Sequence, residues 1–276
     1  IPLRLVGSEM CIRDRARIVA LFMTAVAFAG IIGSPLSGWI LKQTSEWVSG
    51  KAWQWLFLIE GIPSILLGIF IPWLLSNNPQ QASWLTPPEK RELVKELEAD
   101  ERLKEQSSGH AKSWKEALRT GRVWLGCLIY LCITVCLYGL SFWLPQIIEN
   151  TITKDKFQIG LVSAIPWITA AIGMIYFGLH SDRTGERKLH LSFAALLATT
   201  GFVASSFVTT NPYAVVLTLS MAATGVMCLI SSFWSLPTAI LSGSAAAAGI
   251  AWINSVGNLG GYILSLIHIS EPTRRR

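Results

Sequence analysis

Gly178-Leu-His-Ser-Asp-Arg-Thr-Gly-Glu-Arg-Lys188 packs three basic residues, a histidine and two acids into one short turn between long apolar runs. A turn this charged must sit in water, whereas apolar flanks of about 20 residues are long enough to cross a hydrocarbon core. Outward from this turn the chain repeats the same alternation. Apolar spans cover residues 18–41, 53–75, 123–148, 159–179, 189–208, 214–234 and 245–262. The pattern predicts an all-α, polytopic membrane protein with about seven transmembrane helices.

Composition agrees. The chain is 51% hydrophobic and 14% charged, with mean hydropathy +0.46. A soluble domain carries about 25% charge. The 12 tryptophans suit interfacial belts, as Trp47, Trp53 and Trp55 do around the first polar turn. Both ends, residues 1–15 and 264–276, resemble translated sequencing-adaptor read-through and are expected to be non-native. They hold six arginines against three acids, so without them the formal charge falls from +6 to +3. That balance carries no nucleic-acid partner. Cys127, Cys132, Cys136 and Cys228 lie in apolar runs without metal-site spacing, so they are expected to be buried small hydrophobes and no metal or other cofactor is expected.

Along the chain, Gly30, Ser34 and Gly38 recur on one helix face, which lets another helix approach closely. Glu60 lies about two turns inside the second span. An ionisable group there is either functional or a structural carboxyl bonded to a neighbouring helix. Residues 77–122 form the one long polar segment. Thr86 can cap a helix opened by Pro87 and Pro88, on which Leu93 and Leu97 share a face and Glu98 can pair with Arg102. This is expected to be a surface linker between two bundles. The alternative is a regulatory docking site.

Lysine and arginine set the orientation. Lys90, Arg91, Lys95, Arg102, Lys104, Lys112, Lys115, Arg119 and Arg122 crowd the linker, and Arg183, Arg187 and Lys188 crowd the opening turn. Opposite turns hold only Lys42, Lys51, Lys154 and Lys156. The linker and the turn are therefore expected on the cytoplasmic side.

These residues resemble the major facilitator superfamily. Gly178, Asp182, Arg183, Gly185, Arg187 and Lys188 are similar to the cytoplasmic loop motif of its second half. Pro35-Leu-Ser-Gly38, Trp53-Gln-Trp-Leu-Phe-Leu-Ile-Glu-Gly61, Phe142-Trp-Leu-Pro145, Phe233-Trp-Ser-Leu-Pro237 and Ala251-Trp-Ile-Asn-Ser-Val-Gly-Asn-Leu-Gly260 resemble its anion:cation symporter family. That family's bacterial members include permeases for tartrate, phthalate and hydroxyphenylacetate. The resemblance implies a twelve-helix, two-bundle carrier of which residues 16–76 are the last two helices of the N-terminal bundle. Residues 77–122 would be the cytoplasmic linker and residues 123–263 an incomplete C-terminal bundle. It implies a multi-pass inner-membrane symporter, monomeric when complete, that takes up an organic anion with protons by alternating access.

Tyr130, Ser231, Trp234, Asn254 and Asn258 are the expected substrate-cavity residues. They are polar, aromatic or small within spans, and an amide can donate to a carboxylate without a buried charge. The competing reading is that the two asparagines bond neighbouring helices. The five later spans hold no Asp, Glu, Lys, Arg or His in their interiors. The family places its key arginine and coupling carboxylates mostly in helices missing here, so this chain alone is expected not to transport. By the pseudo-symmetry of that fold, Asp182 is expected to meet the positive N-terminus of the first span near Ala16 and Arg17, with Arg183 and Arg187 bracing a cytoplasmic gate. The alternative is a solvated turn that only sets orientation. An enzyme would need clustered catalytic groups at matched depth, and only Glu60 is ionisable there. A carrier of another solute, a channel or a sensor remains as an alternative.

Overall fold

The computed structural model describes residues 8–47, 52–74, 76, 78–106, 118, 120–184, 186–208, 210–234 and 243–270. Side chains are described from residue 22 onward except at 45–47, 74, 96, 100, 101, 103–106, 182, 187, 188, 243–247 and 266–270. The chain runs α1 (Ser8–Trp47), α2 (Ala52–Leu74), a 3-10 turn (Pro79–Gln81), α3 (Pro87–Gln106), α4 (Gly121–Thr151), α5 (Lys156–Thr184), α6 (Arg187–Phe207), α7 (Pro212–Phe233) and α8 (Gly243–Ser270). Among the described residues there is no strand. Six of these helices are long and apolar enough to cross a membrane. The seventh expected span, 245–262, lies within α8.

Helix ends follow local chemistry. Asn211 caps α7, its side-chain oxygen accepting from the backbone N–H of Tyr213 at 3.0 Å, with Pro212 at the first helical position. Asp155 caps α5 by accepting from the N–H of Gln158 at 3.0 Å. At α3 the expected Thr86 cap runs the other way. Pro87 and Pro88 have no N–H to offer, so the Thr86 hydroxyl donates to the Glu89 carboxylate at 2.6 Å, as does the Thr86 N–H at 2.9 Å. These bonds hold the Glu89 carboxyl below its ordinary range. Glu98 and Arg102 pair at 3.9 Å, as their spacing predicts, but both are exposed. Prolines 35, 63, 72, 145 and 166 stand inside helices, as membrane spans tolerate.

Helix α1 packs against α5, α6 against α7, α5 against α7, and α4 against α8, with α2 meeting α1. A buried cluster of Ala27, Leu144, Trp167, Met174, Leu219 and Met227 ties α1, α4, α5 and α7 together. Close approach rather than polarity drives such packing in lipid. The small-residue face of α1 supplies it. A Cβ on Gly30 would run into the Trp167 ring, and one on Gly38 would run into the Lys156 carbonyl. From the other side, a Cβ on Gly160 would meet the Ser34 carbonyl. At the end of this seam the Lys42 ammonium donates to Asp155 at 2.6 Å, which with the Gln158 bond holds the Asp155 carboxyl below its ordinary range.

One expectation changes. Cys127 and Cys228 are buried, but Cys132 is exposed and Cys136 partly so, because they lie on the outer side of α4, where an apolar thiol can face lipid. Helix α1 begins at Ser8, well before Ala16 and Arg17.

Candidate functional site

The α4–α8 contact is built on a glycine notch. The ring of Tyr130 fills the space a Cβ on Gly257 would need. The Thr134 hydroxyl, one turn further along α4, reaches the Gly257 carbonyl at 2.6 Å and the Leu131 carbonyl of its own helix at 2.9 Å. On its other side Tyr130 stacks on Phe233 at 5.2 Å and 12° and meets Trp234 edge-on at 4.9 Å and 67°. Tyr130 and Trp234, from α4 and the end of α7, thus form one aromatic wall. Tyr130 and Ser231 are each 8% exposed, which places them inside the bundle. The Ser231 hydroxyl donates to the Cys228 carbonyl of its own helix at 3.0 Å.

Asn254 and Asn258 share one face of α8. The Asn258 amide donates to the Asn254 carbonyl at 2.8 Å and to its side-chain oxygen at 3.0 Å. The Tyr138 hydroxyl approaches the Asn258 oxygen at 3.4 Å. Tyr138 was not singled out from the sequence. It lies two turns beyond Tyr130 on the same helix face, a spacing that could have found it. Gly257 was also missed as a single residue, although it stands between the two asparagines.

Glu60 is exposed on α2, and its carboxylate accepts a hydrogen bond from Ser37 of α1. Of the gate motif, Gly178 and Arg183 lie in α5, and Arg183 is exposed. The side chains of Asp182, Arg187, Lys188 and Arg17, and Gly185 as a whole, lie outside the described residues.

The architecture agrees with sequence comparison. Over 251 residues the chain is 39% identical to an Agrobacterium vitis protein named for tartrate transport by inference, covering 91% of this chain and 57% of that protein. It is 37% identical over 262 residues to the inner membrane transport protein RhmT of Escherichia coli, covering 95% of this chain and 59% of that one. It is 38% identical over 255 residues to a quinolone resistance transporter of Acinetobacter baumannii, covering 91% and 57%. The chain therefore spans a little over half the length of the relatives it matches. Its apolar helices, its helix-packing glycines and its match over residues 9–265 to the profile of that family agree: this multi-pass membrane chain belongs to the Major Facilitator Superfamily.

Proposed function

We propose that this chain forms the central part of a secondary carrier in the bacterial inner membrane, one that takes up a small organic carboxylate together with protons. The observation that carries the reading is the α1–α5 seam. Two long helices lie backbone to backbone at Gly38 and Gly160, with the Lys42–Asp155 ion pair at its end. Around Gly38 and Gly160 the contact is made of small residues, which lets two bundles approach closely and rock against each other there, while nearer Gly30 the Trp167 ring enters the interface. In this reading α1 and α2 close the first bundle, α4 to α8 belong to the second, and the polar segment with α3 is the linker on the cytoplasmic side.

The solute is assigned from chemistry and likeness together. Asn254 offers an amide donor on the helix whose Gly257 seats Tyr130, Asn258 can turn its amide from Asn254 to the solute, and Ser231 and Trp234 come from α7 and its end. The tartrate transporter relative supports a carboxylate. The Gly178–Lys188 turn braces the cytoplasmic gate through Asp182, Arg183 and Arg187. Glu60 serves as a structural carboxyl tied to Ser37.

Proteoliposomes test this. A protein continuing this chain to the length of its relatives should take up labelled tartrate, and a protonophore should abolish the uptake. Vesicles carrying this chain alone should show none. Uptake that ignores the protonophore would remove proton coupling, and uptake by the chain alone would remove the two-bundle reading. The aromatic wall also suits a planar solute, and the quinolone resistance relative favours that second reading. Competition of tartrate uptake by a fluoroquinolone would support it.

A further inference from the structure

The turn between α5 and α6 holds a pair of histidines that nothing above uses. His180 stands in the last turns of α5 and His190 in the first turn of α6. The Nδ1 of His180 lies 2.7 Å from the Nε2 of His190, and the Nδ1 of His190 lies 2.6 Å from the Glu186 carbonyl. Each ring has an aromatic neighbour, and His180 is exposed. Tyr176 stacks on His180 at 6.0 Å and 17°, and Phe177 meets His190 edge-on at 5.9 Å and 90°. Phe193 in turn stacks on Phe177 at 5.6 Å.

Counting hydrogens decides what this pair can do. A carbonyl only accepts, so Nδ1 of His190 carries a hydrogen. Of the two nitrogens facing each other, one must carry a hydrogen and the other must not. With both rings neutral, Nδ1 of His180 donates to Nε2 of His190. One added proton leaves that bond in place and makes it charge-assisted, and the Tyr176 face beside His180 suits a cation. A second added proton puts hydrogens on both facing nitrogens. The bond is then lost, and two like charges face each other across it.

We propose that His180 and His190 form an acid-released clasp that ties α5 to α6 at the root of the charged turn and frees that turn when both rings are protonated. The clasp concerns the turn alone and stands whatever solute the carrier takes. The charged neighbours on its two helices are Arg183 and Glu186, together with Asp182, Arg187 and Lys188, whose side chains lie outside the described residues. Counted as formal charges these five residues sum to +1. By its lysine and arginine content this turn lies on the cytoplasmic side, so the acid sensed is that of the cytoplasm.

The test uses the whole chain in lipid nanodiscs. Nitrogen-15 NMR of its histidines should show, at neutral pH, His190 protonated at Nδ1. Hydrogen exchange of backbone amides 181–190 is then followed from about pH 7.5 to about pH 5, corrected for the intrinsic rate with an unstructured peptide. Protection of the turn should fall at least about tenfold in the parent. It should stay level in His180→Gln and in His190→Gln, because glutamine keeps a hydrogen-bonding group but takes no proton. An equal loss of protection in the parent and in both variants would overturn the clasp. So would a His190 bare at Nδ1.

Discussion

Gly38→Ala should loosen the α1–α5 seam, and its size can be worked from the backbone. The new Cβ would stand 3.3 Å from the Lys156 carbonyl carbon and 3.3 Å from the Phe157 Cα, and closer still to the carbonyl oxygen. These are backbone atoms, so no rotamer change relieves them. The two helices must part by roughly 1 Å to restore ordinary contact distances. Overpacking of this kind costs about 1–3 kcal/mol. In detergent that should lower the melting midpoint by about 2–12 °C. Gly68→Ala is the matched control, because nothing lies within 4 Å of a Cβ there. Replacing a helical glycine in open space gains about 0.5–1 kcal/mol, so its midpoint should hold or rise. If the seam closes in only one state of the carrier, the same cost shifts the balance of states by about 5–150-fold. A Gly38→Ala midpoint equal to or above that of Gly68→Ala would refute the close approach.

Gly257→Ala should also destabilise, because the Tyr130 ring it displaces is held from behind by Phe233 and Trp234; a midpoint matching that of Gly139→Ala, which has open space, would count against the notch. Asn258→Asp should weaken carboxylate uptake by the longer carrier more than about tenfold, since two like charges would meet at the site. Asn258→Gln should keep much of the activity, and equal uptake by both variants would take Asn258 away from the solute. Asp155→Asn keeps a good helix cap and removes only the ion pair with Lys42. The Asp155 carboxyl is held low when folded, so its pairing stabilises above the unfolded value of 3.8 and is lost as pH falls through the folded one. The midpoint difference between parent and Asp155→Asn should therefore stay constant from about pH 8 to about pH 5 and shrink only in stronger acid. A difference that fades near neutrality would mean that another group titrates.

What could be read from the chain alone divides along a physical line. Lipid leaves backbone groups no partner but their own helix, so an apolar run of sufficient length all but dictates a span, and each of the seven runs proved helical. The Gly30–Ser34–Gly38 face was legible for a related reason, since small residues at that spacing have one main use in a membrane. The partner of that face was not legible. Nothing in the spacing says that Gly38 lies against Lys156 rather than against α2, because between helices in lipid it is shape that selects, and shape is spread over residues far apart in sequence. The polar contacts show the same limit more sharply. Asn258 reads as a donor awaiting a ligand, yet its amide turns back to Asn254 while Tyr138 approaches from α4. His180 and His190 lie ten positions apart at the ends of two helices, and only the reversal of the chain brings their rings within bonding distance. A polar group near lipid takes a partner wherever the fold offers one. Residue type therefore shows that a bond is needed, and the tertiary fold decides with whom. For that reason the gate and the cavity wall must be tested by paired substitutions, such as Tyr138→Phe with Asn258→Ala, whose non-additivity would report the contact itself.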